Sequence, residues 1–207
     1  MVYTDSIQNL LLDLGGVLYA IDIETTVRQY AALREKGAPP VDYDKSSQHE
    51  CFSQLDRGEI DIDEFAEGIR VAYRLNTDLE TIKDIWSNLL IGVIPGRIES
   101  VKKLSRIYNI ALLSNTSRFH HAHYHQACQP MFAEMDHLFF SFDMGLRKPD
   151  PLIYQEAINQ MDWKAGETLF VDDSKVNIEA ARKEGIQTFW METHDHWDVL
   201  TNELLKI

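Results

Sequence analysis

Thr168-Leu-Phe-Val-Asp-Asp173, Ser174 to Glu184, Gly185 and Ile186-Gln-Thr-Phe-Trp190 follow one another as a short apolar run, a helix-patterned stretch, a glycine and a second apolar run. Runs of this length with aromatic and β-branched residues read as strands, and a glycine after a periodic stretch reads as a helix stop. Strand, helix and strand in that order form the repeating unit of a parallel sheet covered by helices. Three further runs of the same kind lie upstream: Ile7-Gln-Asn-Leu-Leu-Leu-Asp-Leu14 before Gly15-Gly16, Asn109-Ile-Ala-Leu-Leu-Ser-Asn115, and His137-Leu-Phe-Phe-Ser-Phe142. Their nearly unbroken apolar character fits strands buried on both faces. Asp150-Pro151 adds a capping side chain followed by proline at a first helical position, with Ile153, Tyr154, Ala157, Ile158 and Met161 at helical spacing behind it. The expected fold class is α/β with a five-stranded parallel sheet.

Between Ile21 and Ile94 the pattern changes. No convincing strand appears there, and Thr25 to Arg34, Asp63 to Tyr73 and Asp78 to Leu90 read as amphipathic helices, the last with a capping box from Thr77 and Glu80. Pro39-Pro40 reads as a loop within this insert and Pro95-Gly96 as its exit. Its aromatic residues Tyr30, Phe52, Phe65, Tyr73 and Trp86 are expected in a core.

The whole chain has 207 residues and a formal charge of −13, about half of which sits on the insert. Such acidity argues against nucleic acid or an anionic membrane as a main partner, so any phosphate must be met locally. Cys51 and Cys128 are the only cysteines, too few for a disulfide framework or a thiolate metal site, which makes a reducing cytoplasm the expected setting. No apolar run reaches membrane-spanning length, so the expectation is a soluble, unprocessed protein.

Ligands of open α/β sheets bind beyond the carboxyl ends of the strands. Asp13 ends the first run, Ser114-Asn115 the second and Asp172-Asp173 the fourth, while Lys148 follows the third in Met144-Gly-Leu-Arg-Lys-Pro-Asp150. Three carboxylates at one edge repel unless a cation sits among them, and an all-oxygen donor set suits Mg2+. With such an ion holding phosphate oxygens, Asp13 can attack phosphorus, and Ser114, nearby N–H groups and Lys148 can meet the phosphoryl charge.

The set Leu12-Asp13-Leu-Gly-Gly-Val-Leu18, Leu113-Ser114-Asn115-Thr116, Arg147-Lys148-Pro149 and Val171-Asp172-Asp173-Ser-Lys-Val-Asn177 resembles the haloacid dehalogenase superfamily of phosphohydrolases, in order and spacing over nearly the whole chain. The insert looks like that superfamily's α-helical cap. The resemblance implies a Rossmann-like core, residues 1–20 and 95–207, with strand order 5-4-1-2-3, and a cap at 21–94. It also implies Asp13 as nucleophile, Mg2+ held by Asp13, the Gly15 carbonyl and Asp172 with Asp173 in support, and Ser114, Asn115 and Lys148 on the phosphoryl group. The substrate it implies is a small phosphorylated metabolite such as a sugar phosphate.

One position departs from the pattern. Phosphatases of the superfamily usually carry a second Asp two residues after the nucleophile, as general acid, and this chain has Gly15. Asp-Leu-Gly-Gly-Val resembles a bacterial subgroup that includes a glucose-1-phosphate phosphatase with Asp-Leu-Gly at this motif. The substrate, a water or another carboxylate could deliver the proton, with Asp22, Glu24 and cap residues as candidates. Carbon–halogen hydrolysis by Asp13 and a catalytically silent phosphate-binding protein are the competing functions. The stretch Phe119-His-His-Ala-His-Tyr-His125 puts His121 and His125 at helical spacing, but no carboxylate or cysteine within it completes a metal site, and a solvated or substrate-adjacent loop is expected.

Overall fold

The structure, a computed structural model, describes residues 6–43 and 48–206. The chain runs β1 (Asn9–Leu12), β2 (Tyr19–Ile21), α1 (Ile23–Ala32), α2 (Glu50–Asp56), α3 (Ile62–Ala72), α4 (Leu79–Ser87), β3 (Leu90–Val93) and α5 (Arg97–Leu104). It continues through β4 (Asn109–Ser114), α6 (Arg118–Phe132), β5 (His137–Phe140), α7 (Ser141–Met144), α8 (Pro151–Gln160), β6 (Thr168–Asp172), α9 (Lys175–Lys183), β7 (Gln187–Trp190) and α10 (His196–Leu204).

Side chains alternate across a strand, and here the alternation divides one apolar run between two cores. Leu10 and Leu12 of β1, Ile110 and Leu112 of β4, and Leu169 and Val171 of β6 enter one core with α5, α6 and α10. Leu11, Ala111, Leu113 and Phe170 enter the other with α8 and α9. Both faces are therefore covered, which is why the runs are apolar without interruption. The five strands pair in parallel in the order β5-β4-β1-β6-β7. Counted among the strands of this sheet alone, that order is the 5-4-1-2-3 of the resemblance, read from the opposite edge.

Several expectations need correction. The insert's two ends do form strands: Tyr19–Ile21 and Leu90–Val93 pair antiparallel as a two-stranded ribbon. Helix α4 is capped by Asp78, whose side chain accepts from Thr81 N, not by Thr77; the capping box of the insert belongs to α3, between Asp61 and Glu64. Helix α2 was not expected. The His-rich stretch is not a loop but part of α6, started by Ser117, whose hydroxyl accepts from His120 N.

The insert has its own core. Phe52, Phe65, Ile69, Tyr73, Ile82 and Trp86 are buried together, and the Tyr30 hydroxyl donates to Ile82 O at 2.9 Å. Each such buried aromatic contributes roughly 2–3 kcal/mol. Among the described residues no helix is long and apolar enough to cross a membrane.

Candidate active site

Parallel strands end on one edge. Leu12 is in register with Leu112 on one side and Val171 on the other, so Asp13 comes level with the ends of β4 and β6, and its N–H donates to Val171 O at 3.0 Å. Immediately after Asp13 the chain turns back: the N–H groups of Leu18 and Tyr19 both donate to Leu14 O at 2.8 Å, and Gly16 takes φ +86°. That left-handed conformation costs a residue with a Cβ, which explains glycine at this position.

Lys148 is the hub of the site. It is 1% exposed, and its ammonium donates at 2.7 Å to each of three acceptors: Asp13 Oδ1, Asp172 Oδ2 and Leu113 O. All three of its protons are thereby used. Burial is the largest single influence on this ammonium and disfavours the charge, but Asp13 and Asp172 together outweigh it and hold its pKa above the ordinary lysine value. Asp172, fully buried, also accepts from Ser174 N at 2.7 Å, at the start of α9, and from Asn177 Nδ2 at 3.1 Å on both oxygens.

Asn115 turns its side chain to the backbone of Lys148. Its Nδ2 donates to Lys148 O and its Oδ1 accepts from Lys148 N, both at 2.8 Å. Next to it, Ser141 bonds both ways with the backbone of Thr116, at 2.9 Å each, and the Tyr124 hydroxyl donates to Thr116 Oγ1 at 3.2 Å. The 115–116 turn is thus tied to the segments that follow β5.

Asp13, Gly15, Ser114, Asn115, Lys148 and Asp173 all line one cleft of ≈ 830 Å³, part of it open to solvent. Asp172 lies behind this surface. One oxygen from each of Asp13, Asp172 and Asp173 lies within 4.8 Å of the others, the only grouping of three or more potential metal ligands among the described residues. The sequence-derived residues therefore converge. His121 and His125 do not join them: their ring nitrogens are 3.1 Å apart, and His121 packs on Phe140.

The other wall of the cleft was only partly legible in the sequence: Trp86 was expected in the insert's core, His120 and Tyr124 in a solvated or substrate-adjacent loop, and Tyr43, Gln48 and Asp56 were not singled out. Tyr43, Gln48, Asp56 and Trp86 of the insert line it, with His120, Tyr124 and Arg147 from the sheet side. Arg147 Nε donates to Asp56 Oδ2 at 3.3 Å, joining the two sides. His120 stacks on Trp86 and bonds through Nε2 to Trp86 O at 2.9 Å; a carbonyl accepts, so Nε2 carries the proton. Burial pushes this imidazole down to about 4, leaving it neutral.

The family description "haloacid dehalogenase-like hydrolase" matches residues 7–185. The chain belongs to this family. Among curated members, this haloacid dehalogenase-like hydrolase is similar to D-ribitol-5-phosphate phosphatase of Bacteroides thetaiotaomicron, 30% identical over 92% of this chain and 95% of that one. It is also similar to the crystal structure of a family enzyme from the same organism, an aspartate-to-alanine mutant in complex with magnesium and inorganic phosphate. That match has 27% identity and a TM-score of 0.75 and covers 88% of this chain and 93% of that one. A predicted hydrolase of the family from Porphyromonas gingivalis is 25% identical with a TM-score of 0.72, covering 89% and 91%.

Proposed function

We propose that this hydrolase is a Mg2+-dependent phosphatase that removes phosphate from a small phosphorylated polyol or sugar, with Asp13 as nucleophile. One observation carries the reading: a buried ammonium, Lys148, stands 2.7 Å from both Asp13 and Asp172, with Asp173 in the same acidic cluster at the carboxyl edge of the sheet. The all-oxygen donor set of Asp13, Asp172 and Asp173 fits Mg2+. These three and the Gly15 carbonyl would hold the ion, and a bound Mg2+ supplies neutralising charge for phosphate oxygens.

Asp13 attacks phosphorus, the bond to the leaving-group oxygen breaks, and water later hydrolyses the aspartyl phosphate. Lys148 pairs with Asp13 at 2.7 Å and fixes its direction, and meets the phosphoryl charge as it develops. Ser114 donates its hydroxyl to a phosphoryl oxygen. Asn115 contributes through the Lys148 backbone that its side chain holds, beside its expected part in binding the phosphoryl group.

Residues 21–94 act as the cap over a core made of 1–20 and 95–207, and the β2–β3 ribbon is the place where the two join. The cap's contribution to the cleft wall supports a role in excluding water and choosing the leaving group. The named activity of the Bacteroides relative supports a phosphorylated sugar alcohol as substrate. Free cysteines at 51 and 128 fit a cytoplasmic setting. Carbon–halogen hydrolysis would have no use for the three-carboxylate cluster.

Phosphate release from ribitol 5-phosphate, sugar phosphates and an aryl phosphate, with and without Mg2+, tests the reading. Release should require Mg2+ and vanish in Asp13→Asn. Release that survives Asp13→Asn overturns the nucleophile, and binding of inorganic phosphate without turnover of any ester, aryl included, favours the silent alternative instead.

A further inference from the structure

With Gly15 in place of the usual acid, the leaving group needs a proton from elsewhere. Asp22 is unsuited: it accepts from Thr25 N at 2.9 Å as the cap of α1, and that bond holds its carboxyl below the ordinary range. Glu24 points to solvent beside Arg28, its side chain 84% exposed. Three carboxylates line the cleft among the described residues, and two of them, Asp13 and Asp173, belong to the nucleophile and metal cluster. His120 is neutral and its one N–H is given to Trp86 O. Burial lifts the hydroxyls of Tyr19, Tyr43 and Tyr124 above the ordinary tyrosine value, which makes them poorer acids.

The remaining carboxylate is Asp56, the last residue of α2. Its partner Arg147 precedes Lys148, the residue whose backbone Asn115 clamps and whose ammonium holds Asp13. The carboxyl is therefore tied to the segment that fixes the nucleophile. Two residues on, Gly58 (φ +68°) closes against the sheet side so tightly that a Cβ would come within 2.7 Å of Phe142 O. That contact seats the end of α2 against the core.

We propose that Asp56 donates the proton to the leaving-group oxygen, an inference that rests on the phosphatase reading above. As Asp13 Oδ bonds to phosphorus and the ester P–O bond breaks, the electron pair goes to the leaving oxygen, and the Asp56 proton joins it to give the alcohol. Asp56, now a carboxylate facing Arg147, then takes a proton from the water that attacks the aspartyl phosphate. Inorganic phosphate leaves, and both Asp13 and Asp56 return to their starting states. The charged and titratable groups around Asp56 are Arg147, Arg57, Lys148 and Tyr43. Burial outweighs the three cations and pushes the carboxyl up to about 6, within the range where general acids work near neutral pH.

The test compares Asp56→Asn with the native enzyme on 4-nitrophenyl phosphate, whose leaving group needs no proton, and on the alkyl phosphate the native enzyme cleaves best. The variant should keep its aryl activity within a few-fold and lose about 10²- to 10⁴-fold on the alkyl ester. The basic limb of the alkyl pH profile should vanish; the ester's own ionisation bends both profiles alike. Equal loss on both esters, or loss on neither, overturns the role of Asp56 and leaves the phosphatase reading standing. A native enzyme that cleaves neither ester removes both. A second measurement needs no variant: across esters of decreasing leaving-group acidity the native rate should fall only shallowly, and a steep fall overturns the proposal.

Discussion

Lys148 and Asp13, 135 positions apart in the chain, meet in a buried 2.7 Å ion pair that also includes Asp172. The two carboxylates depend on this ammonium, since buried charges without a partner are strongly unfavourable. Lys148→Met should lower stability by about 3–5 kcal/mol in chelator, measured by urea unfolding, because it removes the buried cation that both acids share. Mg2+ should return part of that loss and should stabilise the variant more than the native protein. Turnover should fall about 10²- to 10³-fold in either case. A variant as stable as the native protein in chelator would remove Lys148 from its place as the hub.

The proposed metal binding by Asp13, Asp172 and Asp173 should also have a thermal signature. A ligand that binds only the folded state stabilises it by about 2.7 kcal/mol at a hundred times its dissociation constant. For a chain of this size, that raises Tm by roughly 5–10 °C. Mg2+ should produce this rise in the native protein and a much smaller one in Asp173→Asn, read by differential scanning fluorimetry. An undiminished rise in the variant would place the ion elsewhere.

What the sequence made legible is what depends on local pattern. Leu10, Leu11 and Leu12 announce a strand because each has an apolar core to enter, on alternate faces. Asp13, Ser114 and Asp172 announce a site because parallel strands must end on the same edge. The β2–β3 ribbon escaped because strands of three and four residues, partly buried, carry too little alternation to separate from their neighbours. Asn115 was legible as part of the site, but its two bonds to the Lys148 backbone were not, since no pattern tells an amide aimed at a ligand from one aimed at backbone. Asp56 gave no signal at all: its meaning lies in Arg147, 91 positions away.

The clamp on Lys148 can be measured through Asn115. Asn115→Ala deletes two 2.8 Å hydrogen bonds to the Lys148 backbone, each worth about 1 kcal/mol net. Stability should fall by roughly 2 kcal/mol without any ligand present, in urea unfolding. A side chain serving only to bind phosphate would leave the unliganded protein unchanged, so an unaltered midpoint would remove the clamp and leave phosphate binding as its one role.

Position 15 offers a reciprocal test of the missing acid. A Cβ on Gly15 would meet Ile21 Cδ1 at 3.4 Å, ordinary contact with the tip of a flexible side chain, and Gly15 is not among the positive-φ glycines. Gly15→Asp should therefore fold. Placed in the Asp56→Asn background, it should raise alkyl-ester turnover at least about tenfold while leaving the aryl ester little changed. A double variant no faster on the alkyl ester than Asp56→Asn would show that the loss was not one of proton supply.

Asp56 should also mark the pH dependence of stability. Its carboxyl titrates at an ordinary 3.8 when unfolded and is pushed up to about 6 in the fold, chiefly by burial. Between those values the folded state holds more protons than the unfolded one, so this residue makes stability fall as pH rises from about 4 to 6 and level off above. Raising a carboxyl's pKa by one costs the ionised fold about 1.4 kcal/mol, which sets an upper bound near 3 kcal/mol and, with the carboxyl partly open to the cleft, an expected cost of roughly 2 kcal/mol. Asp56→Asn carries no such proton. Relative to the native protein, it should gain stability progressively from pH 4 to pH 6 and keep a constant advantage from there to pH 8, followed by urea midpoints across the range. Parallel curves for the two proteins would mean that Asp56 is already ionised below pH 4, held so by Arg147, and could not act as the acid at neutral pH.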